Sequence, residues 1–283
     1  MQEFTNRVAV VTGGASGIGK ALAAKCLQEG MQVVLADVEE EALSKTTEEF
    51  QADGTNSVLP VVTNVARKAE VEALAKKTVD ELGAVHLLFN NAGVGAGSNP
   101  ADTTYDDWEW VMGVNLWSVI YGLKTFLPIM QDQDGECHVV NTASIAGLVY
   151  GGMSSPYAVT KHGVVALTEA LYFDQLAKGS NISASVLCPG FTATNIIQSE
   201  RNRPEDLPNE TVVELTQEME SGREAFAAMV NNGMPPTELA DIVFDGIRAK
   251  QLYILTSPDF NDIIQQRADQ ITTGTNPGPL AII

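Results

Sequence analysis

A tyrosine and a lysine four residues apart stand in an otherwise apolar, helix-forming stretch, SSPYAVTKHGVVALTEAL at residues 154–171. On a helix, Tyr157 and Lys161 lie one turn apart on the same face. A phenol with a reference pKa of about 10 is a poor proton carrier at neutral pH. A lysine ammonium about 4 Å away, at an effective dielectric constant near 20, contributes about 4 kcal/mol, enough to lower the phenol pKa by roughly three. The pair therefore predicts a tyrosine that gives or takes a proton near pH 7.

A glycine-rich turn, TGGASGIGK at residues 12–20, follows the first predicted strand. Glycines let the backbone approach a pyrophosphate, and the following helix offers free N–H groups and the positive end of its dipole. The spacing Gly-x-x-x-Gly-x-Gly differs from the fingerprint Gly-x-Gly-x-x-Gly, so a plain strand–helix connection is the alternative. The missing Gly-Lys-Ser/Thr ending excludes a Walker-type phosphate loop.

A carboxylate ends the second predicted strand, at Asp37. It stands roughly 20 residues beyond the glycines, where an acidic side chain accepts hydrogen bonds from an adenosine ribose and repels a 2′-phosphate. Ser16, inside the glycine loop, is not basic and offers a 2′-phosphate no charge. The pattern predicts NAD rather than NADP. Asp37 is also suited to capping the helix predicted from Glu39 onward, and the two roles are compatible.

The elements that must position these residues alternate between short β-rich runs and amphipathic stretches. The predicted strands are residues 8–12, 32–37, 58–62, 86–90, 138–142, 182–188 and 253–255, and the predicted helices include residues 18–29, 39–53, 67–82, 106–130 and 156–178. Continuous apolar strands separated by helices predict an α/β fold, with a doubly wound, seven-stranded parallel sheet covered by helices on both faces. We expect one domain over residues 1–283.

A polar insertion interrupts the alternation before the last strand, at residues 191–236. It is too short for a core of its own, so a substrate lid is predicted there. Residues 260–283 are predicted to form a C-terminal helix, ending near Thr272, and an apolar tail that covers this subunit or a neighbour.

Composition narrows the function classes. The 283 residues are 45% hydrophobic, enough for one sizeable core, and the formal net charge of −19 disfavours nucleic acid and anionic lipid as partners. The apolar runs are too short to span a bilayer, the N-terminus leaves no room for a signal peptide, and three scattered cysteines indicate free thiols, so we expect a cytoplasmic protein. Three histidines without paired ligand spacing predict no catalytic metal, and the absence of Gly-x-Ser-x-Gly argues against a hydrolase.

Several motifs in order resemble one family. They are TGGASGIG, the NNAG of residues 90–93, Asn115 in VNLWSV, Ser144 in NTASIAG, the pair Tyr157 and Lys161, and Pro189–Gly190 followed by Thr194. On these motifs the chain resembles the compact short-chain dehydrogenase/reductases over nearly its whole length. The resemblance implies a single NAD(P)-binding Rossmann domain, a small-molecule alcohol or ketone substrate, and a homodimer or homotetramer.

The resemblance also implies roles for individual residues. The catalytic set would be Asn115, Ser144, Tyr157 and Lys161. Cofactor contacts would come from Gly13, Ser16, Gly17, Ile18, Gly19, Asp37, Asn64, Val65, Asn91, Ala92, Gly93, Tyr157, Lys161, Pro189, Gly190, Thr192 and Thr194. Asn64 departs from the family, which usually has aspartate there, although its amide oxygen can still accept from the adenine amine. Read without the resemblance, Asn115 could be a structural hydrogen-bonding residue and Ser144 a turn residue.

The expected function is an NAD(H)-dependent interconversion of a secondary alcohol and a ketone, with NADP as the less favoured cofactor. Eight acidic residues against three arginines between residues 200 and 224 predict a neutral, fairly apolar substrate, if that segment is the lid. Two alternatives stay open, a 3-oxoacyl thioester reductase of the same family and a non-catalytic NAD-binding regulator. A sugar-nucleotide epimerase or dehydratase would prefer Gly-x-x-Gly-x-x-Gly, and Ser16 stands where its middle glycine would be.

Overall fold

Seven strands form one parallel sheet in the order β3-β2-β1-β4-β5-β6-β7. The structure is a computed structural model that describes residues 1–52, 57–151, 154–209 and 217–278. The strands are β1 (Val8–Thr12), β2 (Gln32–Asp37), β3 (Val58–Val62), β4 (Leu87–Asn90), β5 (Cys137–Thr142), β6 (Ile182–Cys188) and β7 (Tyr253–Leu255). The predicted strands are confirmed to within one residue at each end.

Helices cover both faces of this sheet. They are α1 (Gly17–Gln28), α2 (Glu40–Gln51), α3 (Lys68–Leu82), α4 (Tyr105–Met112), α5 (Ser118–Gln131), α6 (Ser155–Lys178), α7 (Gln217–Asn231), α8 (Pro236–Arg248) and α9 (Asn261–Thr273). One core cluster joins the sheet to α1, α2 and α8, and a second joins it to α3, α5 and α6. The doubly wound architecture is thereby confirmed. Asp53, the predicted end of the second helix, lies outside the described residues.

The prediction of one helix over residues 106–130 is wrong in its middle. After α4 the chain forms a five-residue π-helix, Gly113–Trp117, before it continues as α5. The wider π turn inserts an extra residue into the helical repeat, which changes the direction in which the following side chains point. Asn115 lies in this turn and is fully buried. Sequence periodicity follows the two flanking α-helices and does not register a single inserted residue.

Backbone hydrogen bonds join the two ends of the insertion before β7, and we call this contact between Met234 and residues 191–193 the clasp. The Met234 amide donates to the Phe191 carbonyl at 2.9 Å, and the Ala193 amide donates to the Met234 carbonyl at 3.0 Å. Between these ends lie a short 3₁₀ segment, Ile196–Asn202, and α7. The lid function of residues 191–236 stays a prediction. The C-terminal helix that was expected to end near Thr272 is α9, which ends at Thr273. The apolar end of the predicted tail, residues 279–283, lies outside the described residues.

Among the helices in the described parts of the chain, none has the length and apolar character needed to cross a membrane.

Candidate active site

The motifs converge on one edge of the sheet. Because all seven strands run parallel, their carboxyl ends meet at that edge, and the loops after β1, β2, β4, β5 and β6 open there. The chain order reverses between β1 and β4, which are neighbours in the sheet. In open α/β sheets a ligand binds in the crevice at this switch point.

The glycine loop packs so closely against itself and the loop after β4 that side chains are excluded at two positions. Gly13 has a φ of 64°, and a Cβ added there would lie 2.9 Å from the Ala92 Cα. A Cβ at Gly19 would lie 1.9 Å from the Gly13 carbonyl oxygen, so no larger residue fits. Ser16 is the N-cap of α1 and its side chain makes no capping hydrogen bond, which leaves the first amides of the helix open. These features fit a dinucleotide pyrophosphate.

Asp37 is held from two sides at the end of β2. Its Oδ2 accepts from the Ala15 amide at 2.9 Å, and its Oδ1 accepts from the Glu39 amide at 3.1 Å. Burial raises the pKa of this carboxyl, although the two backbone amides act in the opposite direction. The N-cap of α2 is Glu39 rather than Asp37, so the capping role considered for Asp37 is wrong. Asp37 ties the glycine loop to the start of α2.

The next loop, after β3, carries Asn64 and Val65. The Asn64 Oδ1 accepts from the Ala66 amide at 3.0 Å, and the Asn64 amide donates to Glu70 Oε2 at 2.6 Å. Val65 is buried. One lone pair of the Asn64 amide oxygen is thus used locally, and its contact with an adenine amine stays a prediction.

The NNAG turn after β4 is fixed against β1 by one hydroxyl. Thr12 Oγ1 accepts from the amides of Asn91 and Ala92 at 2.9 and 3.1 Å, and Asn91 Nδ2 donates to the Thr12 carbonyl at 3.0 Å. Asn90 Nδ2 donates to Asn141 Oδ1 at 2.8 Å inside the sheet. Thr12 was not among the predicted site residues. Its place at the end of β1, opposite the end of β4, is the signal that could have shown it.

Three of the four residues of the predicted catalytic set meet beside this turn. Ser144 follows β5, and its hydroxyl acts on the Tyr157 phenol, whose pKa it lowers in part. The same Ser144 oxygen accepts from the Ala146 amide at 3.1 Å. Lys161 Nζ lies 5.5 Å from the centroid of the Tyr157 ring and donates to the Thr142 carbonyl at 2.9 Å. The helical spacing of α6 and the loop after β5 therefore bring a hydroxyl, a phenol and an ammonium group together.

Burial dominates the electrostatics of this group. It raises the pKa of Tyr157, and the Ser144 hydroxyl lowers it in part. Burial also lowers the pKa of Lys161 to about 8. Because the lysine then loses its proton before the phenol does, the pair by itself does not produce a tyrosinate near pH 7. The expected lowering of the Tyr157 pKa by Lys161 is not a property of the protein alone.

Asn115 is anchored to the loop after β4 by its side chain. Its Oδ1 accepts from the Val94 amide at 2.8 Å, and its Nδ2 donates to the Val94 carbonyl at 2.9 Å. A further contact from Nδ2 reaches Thr160 Oγ1 at 3.4 Å. The structural hydrogen bond considered for Asn115 is therefore present. The amide connects the π turn to the residue that follows NNAG.

The segment after β6 is supported from behind by the C-terminal part of the chain. The Gly190 amide donates to Thr256 Oγ1 at 3.1 Å, and a Cβ at Gly190 would lie 2.3 Å from the Phe260 ring. Further along, Thr192 Oγ1 donates to the Gly190 carbonyl at 3.4 Å. Thr256 and Phe260 are buried and were not predicted, because no motif marks them and they reach Gly190 only through the fold.

Comparison with known proteins agrees with this geometry. The chain matches the short chain dehydrogenase family over residues 7–205. It is 41% identical to a short chain dehydrogenase/reductase from Burkholderia phymatum solved in complex with NAD, with a TM-score of 0.94 over 99% of each chain. It is 33% identical to the CLA biosynthesis dehydrogenase/reductase of Lactiplantibacillus plantarum, over 98% of this chain and 97% of that protein. It is 36% identical to the cyclohexanol dehydrogenase of an Acinetobacter species, over 69% of this chain and 76% of that protein.

The fold and the family match define an α/β oxidoreductase whose sheet order reverses between β1 and β4. The chain belongs to the short-chain dehydrogenase/reductase family, which confirms the resemblance seen in its motifs.

Proposed function

We propose that the protein is an NAD(H)-dependent oxidoreductase that interconverts a secondary alcohol and a ketone, with Tyr157 as the acid and base. The observation that carries the proposal is the group of Ser144, Tyr157 and Lys161 at the carboxyl edge of the sheet, in which Ser144 and Lys161 are buried and Tyr157 is half-buried. A hydroxyl beside a phenol can hold a substrate oxygen while the phenol gives or takes its proton. Nicotinamide, when bound, gives or accepts the hydride at the carbinol carbon.

Lys161 has two tasks in this scheme. Its Nζ already lies 5.5 Å from the centroid of the Tyr157 ring, and the Thr142 carbonyl fixes it there. In the charged form it favours the phenolate. Because burial alone raises the Tyr157 pKa, the working enzyme needs a second source of positive charge or a hydrogen bond that keeps Lys161 protonated. A ribose hydroxyl bound to Lys161 and an oxidised nicotinamide beside the phenol would meet these needs.

We place the proton route from Lys161 in the space beside Gly93. A Cβ added at Gly93 would lie 3.5 Å from both Asn115 Oδ1 and Lys161 Nζ. The glycine thus keeps open the space between the buried amide and the ammonium group. We assign Asn115 the task of holding a water in this space, which would pass the proton from Lys161 outward.

Asp37 supports the choice of NAD over NADP. Its carboxylate is fixed by two backbone amides at the end of β2. A 2′-phosphate bound here would meet negative charge, whereas two ribose hydroxyls would find acceptors. The relative from Burkholderia phymatum was solved with NAD, which is consistent with this choice.

For the substrate we propose a neutral, fairly apolar secondary alcohol. The relative named for cyclohexanol is consistent with a simple ring alcohol. Glu200 is paired with Arg203 and so repels an anion less than its formal charge suggests. Glu210 and Glu214, counted earlier with the acidic residues of this segment, lie outside the described residues. The remaining charge still disfavours substrates carried on acidic proteins or coenzyme A.

The test is a panel of secondary alcohols and ketones, run in both directions with NAD(H) and NADP(H). Tyr157→Phe keeps the ring but removes the proton, so we expect it to lose nearly all turnover and still bind NADH in a fluorescence titration. Tyr172→Phe, on the same helix but distant from the site residues, serves as the matched control and should keep wild-type turnover. Near-normal turnover in Tyr157→Phe would show that another group moves the proton. Turnover of a carrier-linked 3-oxoacyl substrate well above that of simple ketones would contradict the substrate assignment.

A further inference from the structure

The segment after β6 runs along the whole length of the crevice. We call residues 191–203 the strap. It leaves the sheet at β6 and ends beside Glu39, which follows β2. Between β6 and β2 lie β5, β4 and β1, so the strap crosses four strand intervals, about 19 Å at about 4.8 Å each. It therefore spans the predicted nicotinamide and adenosine ends of the site.

Contacts along the way keep the strap close to the site. The Thr194 methyl group lies 3.0 Å from the position that a Cβ would take on Gly17, in the glycine loop. Ser199 Oγ accepts from the Gly95 amide at 3.0 Å, just beyond the NNAG turn. The strap thus touches the loops after β1 and β4 before it reaches Glu39.

The far end is fastened by a branched set of hydrogen bonds. Arg201 donates to Glu39 from Nε at 3.2 and 3.3 Å and from its terminal nitrogen at 2.8 Å, and Asn202 Nδ2 adds a bond at 2.9 Å. The other terminal nitrogen of Arg201 donates to the carbonyls of Asn195 and Gln198 at 3.1 and 2.9 Å. Every guanidinium nitrogen is used, and the same side chain shapes the strap and fastens it.

Glu39 carries this connection to the ribose end of the site. Its backbone amide donates to Asp37 Oδ1, while its carboxylate receives Arg201 and Asn202. Burial acts to raise the pKa of Glu39, but the hydrogen bonds from Arg201 and Asn202 outweigh it and hold the pKa below its usual range. The carboxylate is therefore charged at neutral pH. The ion pair joins residues that are 162 positions apart in the chain.

We propose that Glu39 and Arg201 are positioning residues for the dinucleotide, whose ion pair fastens the strap along the crevice and slows the release of NAD(H). The inference rests on the proposed function in one respect, that NAD(H) binds in this crevice. A bound dinucleotide would lie beneath a strap tied at both ends, by the clasp at Met234 and by Glu39. Breaking the pair removes the tie between this end of the strap and the loop after β2, while the pair of Arg203 with Asp107 on α4 stays in place, and it leaves the catalytic group untouched.

The experiment measures NADH dissociation by stopped-flow fluorescence. Arg201→Met and Glu39→Gln should each speed release about two- to five-fold, the range expected for a partly exposed ion pair. The double variant should release NADH no faster than the more affected single variant, because both changes break the same contact. Arg201→Lys keeps the charge but not the forked geometry and should recover part of the slow release. Release from the wild-type protein should also accelerate with salt.

The controls separate the possible outcomes. Lys178→Met removes an exposed ion pair with Asp174 on α6 and should leave NADH release unchanged. A wild-type protein that binds no NADH would contradict the proposed function itself. NADH binding with unchanged release in Arg201→Met and Glu39→Gln would overturn the role of the strap. Accelerations that multiply in the double variant would also overturn it, since they would show two independent effects.

Discussion

A buried ion pair fixes the end of the strap to α4, and its removal should be costly. Arg203 bonds Asp107 Oδ1, and the two side chains are 6% and 4% exposed. The guanidinium carbon lies 4.4 Å from the Trp110 ring centroid, and Glu200 receives two further hydrogen bonds at 2.7 and 3.0 Å. Arg203→Met keeps much of the side-chain volume and removes the charge. It leaves the Asp107 carboxylate buried without its cation.

The size of the loss follows from what remains around Asp107. Removing one partner of a buried pair costs about 3–5 kcal/mol. Asp107 Oδ2 still accepts from the Thr104 amide at 3.3 Å, so we expect the lower end, about 3 kcal/mol. In a chain of this size, 1 kcal/mol shifts Tm by about 2–4 °C, which gives a fall of about 6–12 °C. Asp107→Asn should cost less, because Arg203 keeps Glu200 as a partner.

The assay is urea unfolding followed by circular dichroism, for the wild-type protein, the two single variants and the double variant. The sum of the stability losses of the two single variants should exceed the loss of the double variant by at least about 1 kcal/mol, because both substitutions remove the same contact. Lys76→Met, which breaks a pair with side chains 76% and 56% exposed, is the matched control and should stay within about 0.5 kcal/mol of wild type. A loss below about 1 kcal/mol in Arg203→Met, or losses that simply add, would refute this account of the ion pair.

Two further predictions concern the cofactor and the lysine. Replacing Asp37 with Ala and Val38 with Arg should shift the preference toward NADP(H), and a wild-type kcat/KM that is higher with NADP(H) would contradict the role of Asp37. The native pKa of Lys161 is about 8 against a reference of 10.5, so its contribution to stability is complete above pH 10.5 and is lost as pH falls through 8. The free energy of unfolding of Lys161→Met, taken relative to wild type, should therefore be about 3 kcal/mol higher at pH 7 than above pH 10.5. Urea unfolding at several pH values measures this difference. A difference that does not change with pH would rule out the lowered pKa.

Much of the fold follows from local pattern. The strand bounds were predictable because strands buried on both faces are mostly apolar, and β1, β4 and β5 are buried at every position. The meeting of Tyr157 and Lys161 follows from helical periodicity alone. Parallel strands then carry the glycine loop and Ser144 to the same edge of the sheet.

Other features depend on contacts between distant residues. The π turn places Asn115 against Val94, and no local preference of either residue indicates that pairing. Arg201 and Glu39 stand 162 positions apart, and each alone reads as an ordinary surface charge. Their pairing follows only from the folded structure, in which the strap crosses the sheet from β6 to β2.

The sequence by itself determined which groups this protein brings to its candidate active site, because spacing along a helix and position at a strand end are local properties. Only the tertiary structure decided the electrostatic state of those groups. The charge of Lys161 beside Tyr157 predicts a lowered phenol pKa when burial is ignored. Burial instead raises the pKa of Tyr157 and lowers that of Lys161. Desolvation depends on everything packed around a side chain, and that packing exists only after the chain has folded.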